Sequence, residues 1–235
     1  MRGKLLSVMV AFACVLMAMP AKAETRTAPM QAVGPGKDCA ECPEMVRIPG
    51  RSFLAGKHEV TFAEWDACVA GGGCNGYRPE DRGWGRGRRP VTNVSWNDAQ
   101  AYVQWLSNKT GKRYRLLTSE EWEFAARAGT TTEYSWGNEE PACNESARNG
   151  ANFAACPDNR TRPVGSFPAN GFGLHDVHGN VEEWVDDCDD GDCSRRVLRG
   201  GTWVSSPQSL RSAIRSRSDP SISDNFMGIR VARTL

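Results

Sequence analysis

Residues 173–185, GLHDVHGNVEEWV, carry the densest group of reactive side chains in the chain. His175 and His178 are three positions apart, a spacing that places two side chains on one face of a helical turn. With Asp176 or Glu183 they could share a metal ion, because imidazole and carboxylate groups are common metal ligands. The alternative is that both histidines are polar loop residues. We favour this alternative, because a metal site needs supporting geometry that the spacing alone does not supply.

Other catalytic signatures are missing from the sequence. It has no nucleophile elbow, no phosphate-binding glycine loop, no HExxH helix and no two cysteine pairs at zinc-binding spacing. Serines are frequent near the C-terminus, but no placed base accompanies them, so they do not indicate a catalytic triad. The sequence therefore does not support nucleotide-binding, zinc-protease or serine-hydrolase functions.

The first 23 residues predict a secretory signal peptide. A basic start, MRGK, precedes an apolar run from Leu5 to Met19, and Ala21-Lys22-Ala23 fits the small-residue cleavage pattern. This run is shorter than the roughly 20 residues that cross a bilayer. We therefore expect cleavage after Ala23, export to a periplasmic or extracellular compartment, and no membrane attachment of the mature chain.

The mature chain retains eight cysteines, an even number that favours disulfides in an exported protein. Their order along the chain suggests four local bridges: Cys39 with Cys42, Cys68 with Cys74, Cys143 with Cys156, and Cys188 with Cys193. The first pair, in CAEC, has a redox-active alternative. Its extended, Gly- and Pro-flanked segment lacks the strand-to-helix setting that lowers a thiol pKa, so a structural bridge is favoured.

The charge balance argues against polyanion partners. A formal net charge of +1, from 29 basic and 28 acidic residues, gives no field that attracts nucleic acid or an anionic membrane. Residues 75–90, NGYRPEDRGWGRGRRP, depart from this balance by combining arginine and glycine with Tyr77 and Trp84. We interpret this segment as a solvated loop, with a site for nucleic acid or an acidic peptide as the alternative.

Helix and strand patterns place these groups in an α+β domain. Residues 24–43 lack periodicity and predict a flexible arm, followed by the domain at residues 44–235. Residues 44–56 predict two short strands around a Pro-Gly turn. Beyond residue 130, frequent Asn, Asp, Gly and Pro predict loops and short strands. Three amphipathic helices that end at glycines are predicted after the N-caps Thr61, Ser95 and Thr118.

Several blocks of the sequence resemble, in order, the signature blocks of the formylglycine-generating enzyme (sulfatase-modifying factor) domain family. These blocks are PVTNVSWNDAQAYVQWLSNKTGKRYRLLTSEEWEFAARAGTTTEYSWGN, PVGSFPANGFGLHDVHGNVEEWV, RVLRGGTW and NFMGIRVAR. The resemblance covers roughly residues 44–235. It implies a single compact, loop-rich α+β domain of a type related to the C-type lectin-like fold, with bound structural calcium.

The resemblance also implies where calcium would bind. Asn180 and Glu183 of GNVEEW match one family calcium site, and Asn152 with Asp158 match a second. Amide and carboxylate oxygens are the hard donors that calcium prefers. The alternative is that Asn180 caps a turn and Glu183 is exposed. The acidic residues 186–192 are predicted to form a solvated loop clipped by Cys188 and Cys193.

Oxidases of this family are implied to hold copper(I) with two cysteines that follow the GG-[ST]-[WY] block. In this chain Ser205 and Leu210 align with that pair, and no cysteine follows Cys193. A hydroxyl and an aliphatic side chain cannot hold copper(I) as thiolates do, so copper is not expected.

The predicted function follows from this difference. The family places its groove at a face that here carries Trp203, Ser205, Arg211 and Arg215, which we expect to engage a peptide or a protein partner in a binding or accessory role. One alternative is a protein-modifying oxidoreductase that uses ligands other than cysteine. Another is a structural or carbohydrate-binding module, which rests on fold analogy alone.

Overall fold

A computed structural model of the chain describes residues 36–235. The predicted signal peptide and residues 24–35 of the predicted arm lie outside the described residues. Residues 36–43, the end of that arm, lie against the domain: the Asp38 carboxylate accepts a hydrogen bond from the Tyr114 hydroxyl (2.7 Å) and pairs with Arg233 (2.7 Å). Among residues 36–235, no helix combines the length and apolar character needed to cross a membrane.

Within residues 36–235, two small sheets and three α-helices make up most of the regular structure. The elements in chain order are β1 (Met45–Arg47), β2 (Phe53–Gly56), α1 (Phe62–Ala70), α2 (Trp96–Thr110), β3 (Tyr114–Leu116), α3 (Ser119–Arg127), β4 (Glu182–Asp189), β5 (Asp192–Arg199), β6 (Arg215–Ser218), β7 (Met227–Ile229) and β8 (Val231–Thr234). One sheet has the order β1-β2-β8-β3, and the other has the order β6-β5-β4-β7. All strand pairs are antiparallel except β4 with β7, which is parallel. The predicted α+β class is confirmed.

The three predicted helices begin where the sequence places them. The N-caps Thr61, Ser95 and Thr118 each accept from the backbone N–H three residues on, and the acidic side chain there accepts from the cap's own N–H. This capping box satisfies donors that a helix start would leave unpaired. The predicted end of α3 at Gly129 is one residue late, because Ala128 already has a left-handed backbone (φ 48°).

The glycines that end α1 allow close packing against α2. The Trp65 ring stacks on the Tyr102 ring with centroids 5.6 Å apart. At Gly73, a Cβ atom would lie only 2.4 Å from the Trp105 ring, so a larger residue would displace α2 or the loop. These buried aromatic side chains form the core between the helices and the first sheet.

Strands β4 and β5 form a hairpin where the sequence predicted a solvated acidic loop. The prediction of a loop was therefore wrong, although the predicted Cys188–Cys193 bridge is present. Asp190 and Gly191 form the turn, with φ values of 46° and 89°. Acidic side chains face outward at the hairpin tip, while Trp184 and Leu198 are buried nearer its base. The outward-facing residues of both strands are mostly polar, so the sequence lacks the continuous apolar run that is typical of buried strands.

All eight cysteines of the described residues form disulfides in the predicted order. The bridges are Cys39–Cys42, Cys68–Cys74, Cys143–Cys156 and Cys188–Cys193. The last one joins the two strands of the β4–β5 hairpin. Four local bridges are compatible with an exported protein, because disulfides persist in oxidising compartments.

Candidate functional site

The candidate groove begins where the chain leaves β5. Gly200 and Gly201 both have left-handed backbones, with φ values of 98° and 73°. A Cβ atom would lie 3.2 Å from the Trp122 ring at Gly200 and 3.0 Å from the Ser209 carbonyl oxygen at Gly201. Glycine is therefore required here both for the turn and for close packing.

Residues 202–205 form a tight turn that is closed by its own side chains. The Ser205 N–H donates to the Thr202 carbonyl (3.0 Å), and the Thr202 N–H donates to the Ser205 hydroxyl oxygen (2.9 Å). The Trp203 N–H donates to the Asn180 carbonyl (2.9 Å), which fixes the turn to the central stretch, residues 173–185. The Ser205 hydroxyl therefore stabilises the turn.

A short 3-10 helix, Pro207–Leu210, follows this turn. The Leu210 side chain is fully buried in an apolar cluster with Tyr134, Ala151, Phe153 and Cys156. Its carbonyl oxygen lies 2.8 Å from Nδ1 of His178. The two positions aligned with the family's copper ligands thus hold a turn-forming hydroxyl and a core aliphatic side chain.

Arg199 binds the backbone of residues 212–214, which follow the short helix that ends at Leu210. Its buried guanidinium pairs with Glu123 on α3 (2.5 Å) and donates to the carbonyl oxygens of Ser212 (2.9 Å), Ala213 (3.1 Å) and Ile214 (2.7 Å). Charged donors to carbonyl groups form stronger hydrogen bonds than neutral ones. Arg199 therefore fixes the C-terminal side of the candidate groove, a role that the sequence analysis missed.

The two predicted groove arginines form separate ion pairs. Arg211 lies 3.2 Å from Glu133, and Arg215, at the start of β6, lies 3.6 Å from Asp190 at the hairpin tip. Both arginines are partly exposed. The structure thus brings Trp203 and Ser205 together in one turn, while Arg211 and Arg215 contact other elements.

Trp203 meets a second tryptophan from the arginine-rich loop. The ring of Trp84 packs against that of Trp203 edge to face, with centroids 5.3 Å apart and planes at 87°. Val204, which follows Trp203 in the chain, is 49% exposed. We call Trp84, Trp203 and Val204 the tryptophan surface. The only sequence signal for Trp84 was its place, with Tyr77, in a Gly- and Arg-rich loop.

The central stretch positions this surface through Asn180. The Asn180 Oδ1 atom accepts from Asn152 Nδ2 (3.1 Å) and from the Arg162 N–H (2.9 Å). Its Nδ2 donates to Glu59 Oε2 (2.6 Å) and to the Arg162 carbonyl (3.4 Å). Every hydrogen-bonding position of this amide is therefore used. The Asn180 carbonyl accepts from Trp203, so the amide network and the groove turn are directly joined.

Glu183 forms a buried ion pair with Arg230. Its carboxylate lies 2.7 Å from the guanidinium and also accepts from the Trp122 indole (2.6 Å). Arg230 donates in addition to the carbonyl oxygens of Gly56 (3.0 Å) and His175 (2.7 Å). One guanidinium thus connects β4, the end of β2 and the central stretch. The alternative that Glu183 is exposed is wrong.

His175 and His178 lie in different environments. The Nδ1 atom of His175 is 2.8 Å from the Phe167 carbonyl oxygen, and its ring stacks on His58 with centroids 4.9 Å apart. His178 is 3% exposed and packs edge-on against the Tyr134 and Trp136 rings. The two imidazoles therefore contact different groups.

The predicted calcium ligands do not form a shared set of free oxygens. Glu183 faces Arg230, Asn180 is saturated by hydrogen bonds, and Asp158 pairs with Arg162 (3.0 Å). Asn152 meets Asn180 through its Nδ2 atom. Within residues 36–235, no group of three or more His, Cys, Asp or Glu residues could hold a metal ion. This donor set does not fit calcium, and its binding remains a prediction from the resemblance.

Comparison with known proteins assigns the family. Residues 19–235 match the family described as "Sulfatase-modifying factor enzyme 1-like domain". The chain belongs to this family. A solved structure of PvdO from Pseudomonas aeruginosa superposes with a TM-score of 0.70 and 31% identity, covering 87% of this chain and 100% of that one. The resemblance drawn from the sequence blocks is confirmed.

Curated relatives include both active and inactive members of this family. The formylglycine-generating enzyme of Streptomyces coelicolor is 38% identical over 174 residues, which cover 63% of this chain and 54% of that protein. The "Inactive C-alpha-formylglycine-generating enzyme 2" of Bos taurus is 37% identical over 155 residues, covering 61% and 50%. The chain spans about half the length of these relatives. Family membership alone therefore does not assign an activity.

Copper(I) does not fit the residues of the groove. The ion requires soft sulfur ligands, whereas Ser205 offers a hydroxyl oxygen and Leu210 no donor. All cysteines of residues 36–235 are in disulfides. Ser205 and Leu210 thus offer no sulfur ligand to copper(I).

Proposed function

We propose that the protein is an exported, non-oxidising member of the family that binds an extended peptide or a partner protein at the tryptophan surface. In this role it serves as a binding or accessory maturation protein. The observation that carries the proposal is the Trp84–Trp203 pair, beside exposed Val204 and next to a turn that has Ser205 in place of a thiol.

The tryptophan surface has the chemistry of a binding site. Aromatic residues supply much of the binding energy at protein interfaces, because they bury large areas with few rotatable bonds. The turn that presents Trp203 is held by the Asn180 carbonyl, and residues 212–214 are held by Arg199. A surface fixed in this way loses little conformational entropy when a partner binds.

A peptide library displayed on phage and selected on the purified protein tests this proposal. Val204→Glu places a charge on the surface without disturbing the core, since Val204 is 49% exposed. Leu235→Glu is the matched control, because Leu235 is a similarly exposed aliphatic residue (56%) beside Ser52 near the first sheet.

We expect selected peptides to lose affinity for Val204→Glu by roughly tenfold or more and to bind Leu235→Glu as they bind the wild type. Equal binding to all three proteins would show that the tryptophan surface is not the binding site. Mass determination of the protein from cells tests export separately: the proposal predicts a chain that begins at Glu24, and a full-length chain would contradict it.

A further inference from the structure

A cavity of ≈ 330 Å³ lies beside the first turns of α1. None of the groove residues Trp203, Ser205, Arg211 and Arg215 lines it. Its walls include the apolar side chains of Ala63 and Val164, and two cationic residues, Lys37 and Arg88, also line it. The volume is at the lower end of the range for small-molecule sites.

Glu59 lines this cavity as a buried carboxylate that has no direct ion pair. It is 1% exposed, and its oxygens accept from Asn180 Nδ2 (2.6 Å) and the Val181 N–H (3.2 Å). Within residues 36–235, no lysine, arginine or histidine forms an ion pair with it. Burial, together with the nearby carboxylates of Asp176 and Glu183, raises its pKa. The nearby Arg230 guanidinium is paired with Glu183 and shared with Asp176. Buried carboxylates are normally paired, so a cationic ligand would supply the direct partner that Glu59 lacks.

Glu64 contributes a second carboxylate to the same cavity. Its Oε2 atom accepts from the N–H (2.8 Å) and the hydroxyl (2.9 Å) of Thr61 in the capping box of α1. Its Oε1 atom receives no hydrogen bond from the described chain. Burial raises the pKa of Glu64 as well. One carboxylate oxygen is therefore left for another donor.

His58 adds a third acceptor. Its ring stacks on His175, and neither ring nitrogen has a hydrogen-bond partner among residues 36–235. Burial, with the charge of neighbouring groups, lowers the pKa of His58 to about 3, so the ring is neutral near pH 7. A neutral imidazole keeps one nitrogen that can accept a hydrogen bond.

We propose that this cavity binds a primary ammonium group on a short apolar stem, with Glu59, Glu64 and His58 as the three acceptors. A primary ammonium has three N–H donors and one positive charge, which match three acceptors and a buried carboxylate without a direct ion pair. Ala63 and Val164 contact the stem. The same group occurs in free alkylamines and in lysine side chains, and the experiment distinguishes these two sources.

Titration with n-butylammonium chloride, followed by protein NMR, tests the proposal, with n-butanol as the uncharged probe of similar shape. We expect butylammonium, and not butanol, to shift the amide signals of Ala63 and Val164. Equal shifts with both probes, or no shift with butylammonium, would overturn the proposal. A lysine-containing peptide that binds more tightly than butylammonium would assign the site to a protein partner, and one that binds more weakly would assign it to a free amine.

Glu64→Gln is the sharpest variant, because glutamine keeps the capping box with Thr61 while removing the charge. We expect it to weaken butylammonium binding by roughly tenfold or more. Asp98→Asn is the matched control: Asp98 accepts from the N–H and hydroxyl of Ser95 in the same pattern at the start of α2, and it does not line the cavity. Unchanged binding to Glu64→Gln, or equal losses in both variants, would refute the assignment. Glu59→Gln provides a second variant with the same expected loss.

Discussion

Glu183 and Arg230 form an ion pair with a closest N–O distance of 2.7 Å, and each side chain is only 1% exposed. Two more buried carboxylates, Glu59 and Asp176, lie close enough to raise the pKa of the Arg230 guanidinium. Burial raises the pKa of both carboxyl groups. One guanidinium thus lies near three acidic side chains. Removing Arg230 therefore affects more charged groups than removing Glu183 does.

We expect Arg230→Met to destabilise the protein more than Glu183→Gln. Removing the guanidinium leaves three buried acids without a cation, and losses of about 3–5 kcal/mol in the free energy of unfolding are typical for such changes. After Glu183→Gln, ionisation of Glu59 or Asp176 offsets part of the loss. Urea denaturation measures both variants. The control Arg148→Met breaks an exposed pair with Glu139 and should cost less than about 1 kcal/mol. A larger loss for Glu183→Gln than for Arg230→Met would contradict this prediction.

We expect His178 to remain neutral well below the usual range for histidine. The Ser135 N–H donates to Nε2 (3.0 Å), so the proton is on Nδ1 and is donated to the Leu210 carbonyl. Burial lowers the pKa of His178 to about 4. The unfolded chain takes up the second ring proton more readily than the folded protein. The contribution of His178 to stability is therefore complete above the ordinary pKa and is lost as pH falls toward 4.

Ring-nitrogen chemical shifts of His178, followed by NMR between pH 7 and pH 4, test this prediction. They should show the Nδ1–H tautomer with no protonation midpoint near the ordinary value. The acid-unfolded protein supplies the reference titration. A midpoint close to 6.5 in the folded protein would show that the imidazole is not held as described.

We expect the Cys143–Cys156 bridge to contribute more stability than the Cys188–Cys193 bridge. The first closes a separation of 13 residues in a region without regular elements, and the second closes 5 residues within a hairpin that backbone hydrogen bonds already hold. In the chain-entropy account, longer closed loops give larger stabilisation, here by about 1 kcal/mol. Thermal unfolding of the two double Cys→Ala variants compares them. Equal melting temperatures would contradict the expected order.

Chelation tests the calcium sites that the sequence resemblance implies. Since Glu183 faces Arg230 and the Asn180 amide is saturated, we expect excess chelator to leave the melting temperature unchanged. Addition of calcium to the chelated protein is the control. A melting temperature that falls with chelator and recovers with calcium would show that these residues bind the ion in a different arrangement.

Features that depend on short stretches of sequence could be predicted. The capping boxes at Thr61 and Thr118 involve residues three positions apart, so their sequence pattern contains the whole interaction. The four disulfides join cysteines at most 13 residues apart, and the order of the cysteines suggested them. Family membership followed from several blocks in sequence order.

Features that depend on distant contacts could not be predicted. Trp84 and Trp203 come from separate loops, and nothing in either loop indicates the other. The motif around Glu183 gave no sign of its ion pair with Arg230, which lies 47 residues later in the chain. The hairpin at residues 182–199 was missed because its tip is acidic and only part of each strand is buried. The sequence around one residue does not show which distant residue it will contact, because folding brings separate segments of the chain together.

The central claim is that this family member binds a partner at the tryptophan surface without oxidising it. Oxygen uptake tests it most directly, measured with copper(I)-supplied protein, intact disulfides and a cysteine-containing peptide selected for binding. Because Ser205 and Leu210 provide no thiolate, we predict that the peptide binds and that oxygen uptake equals the protein-free control. Sustained uptake that requires both copper and peptide would contradict the account and establish an oxidase that uses other ligands.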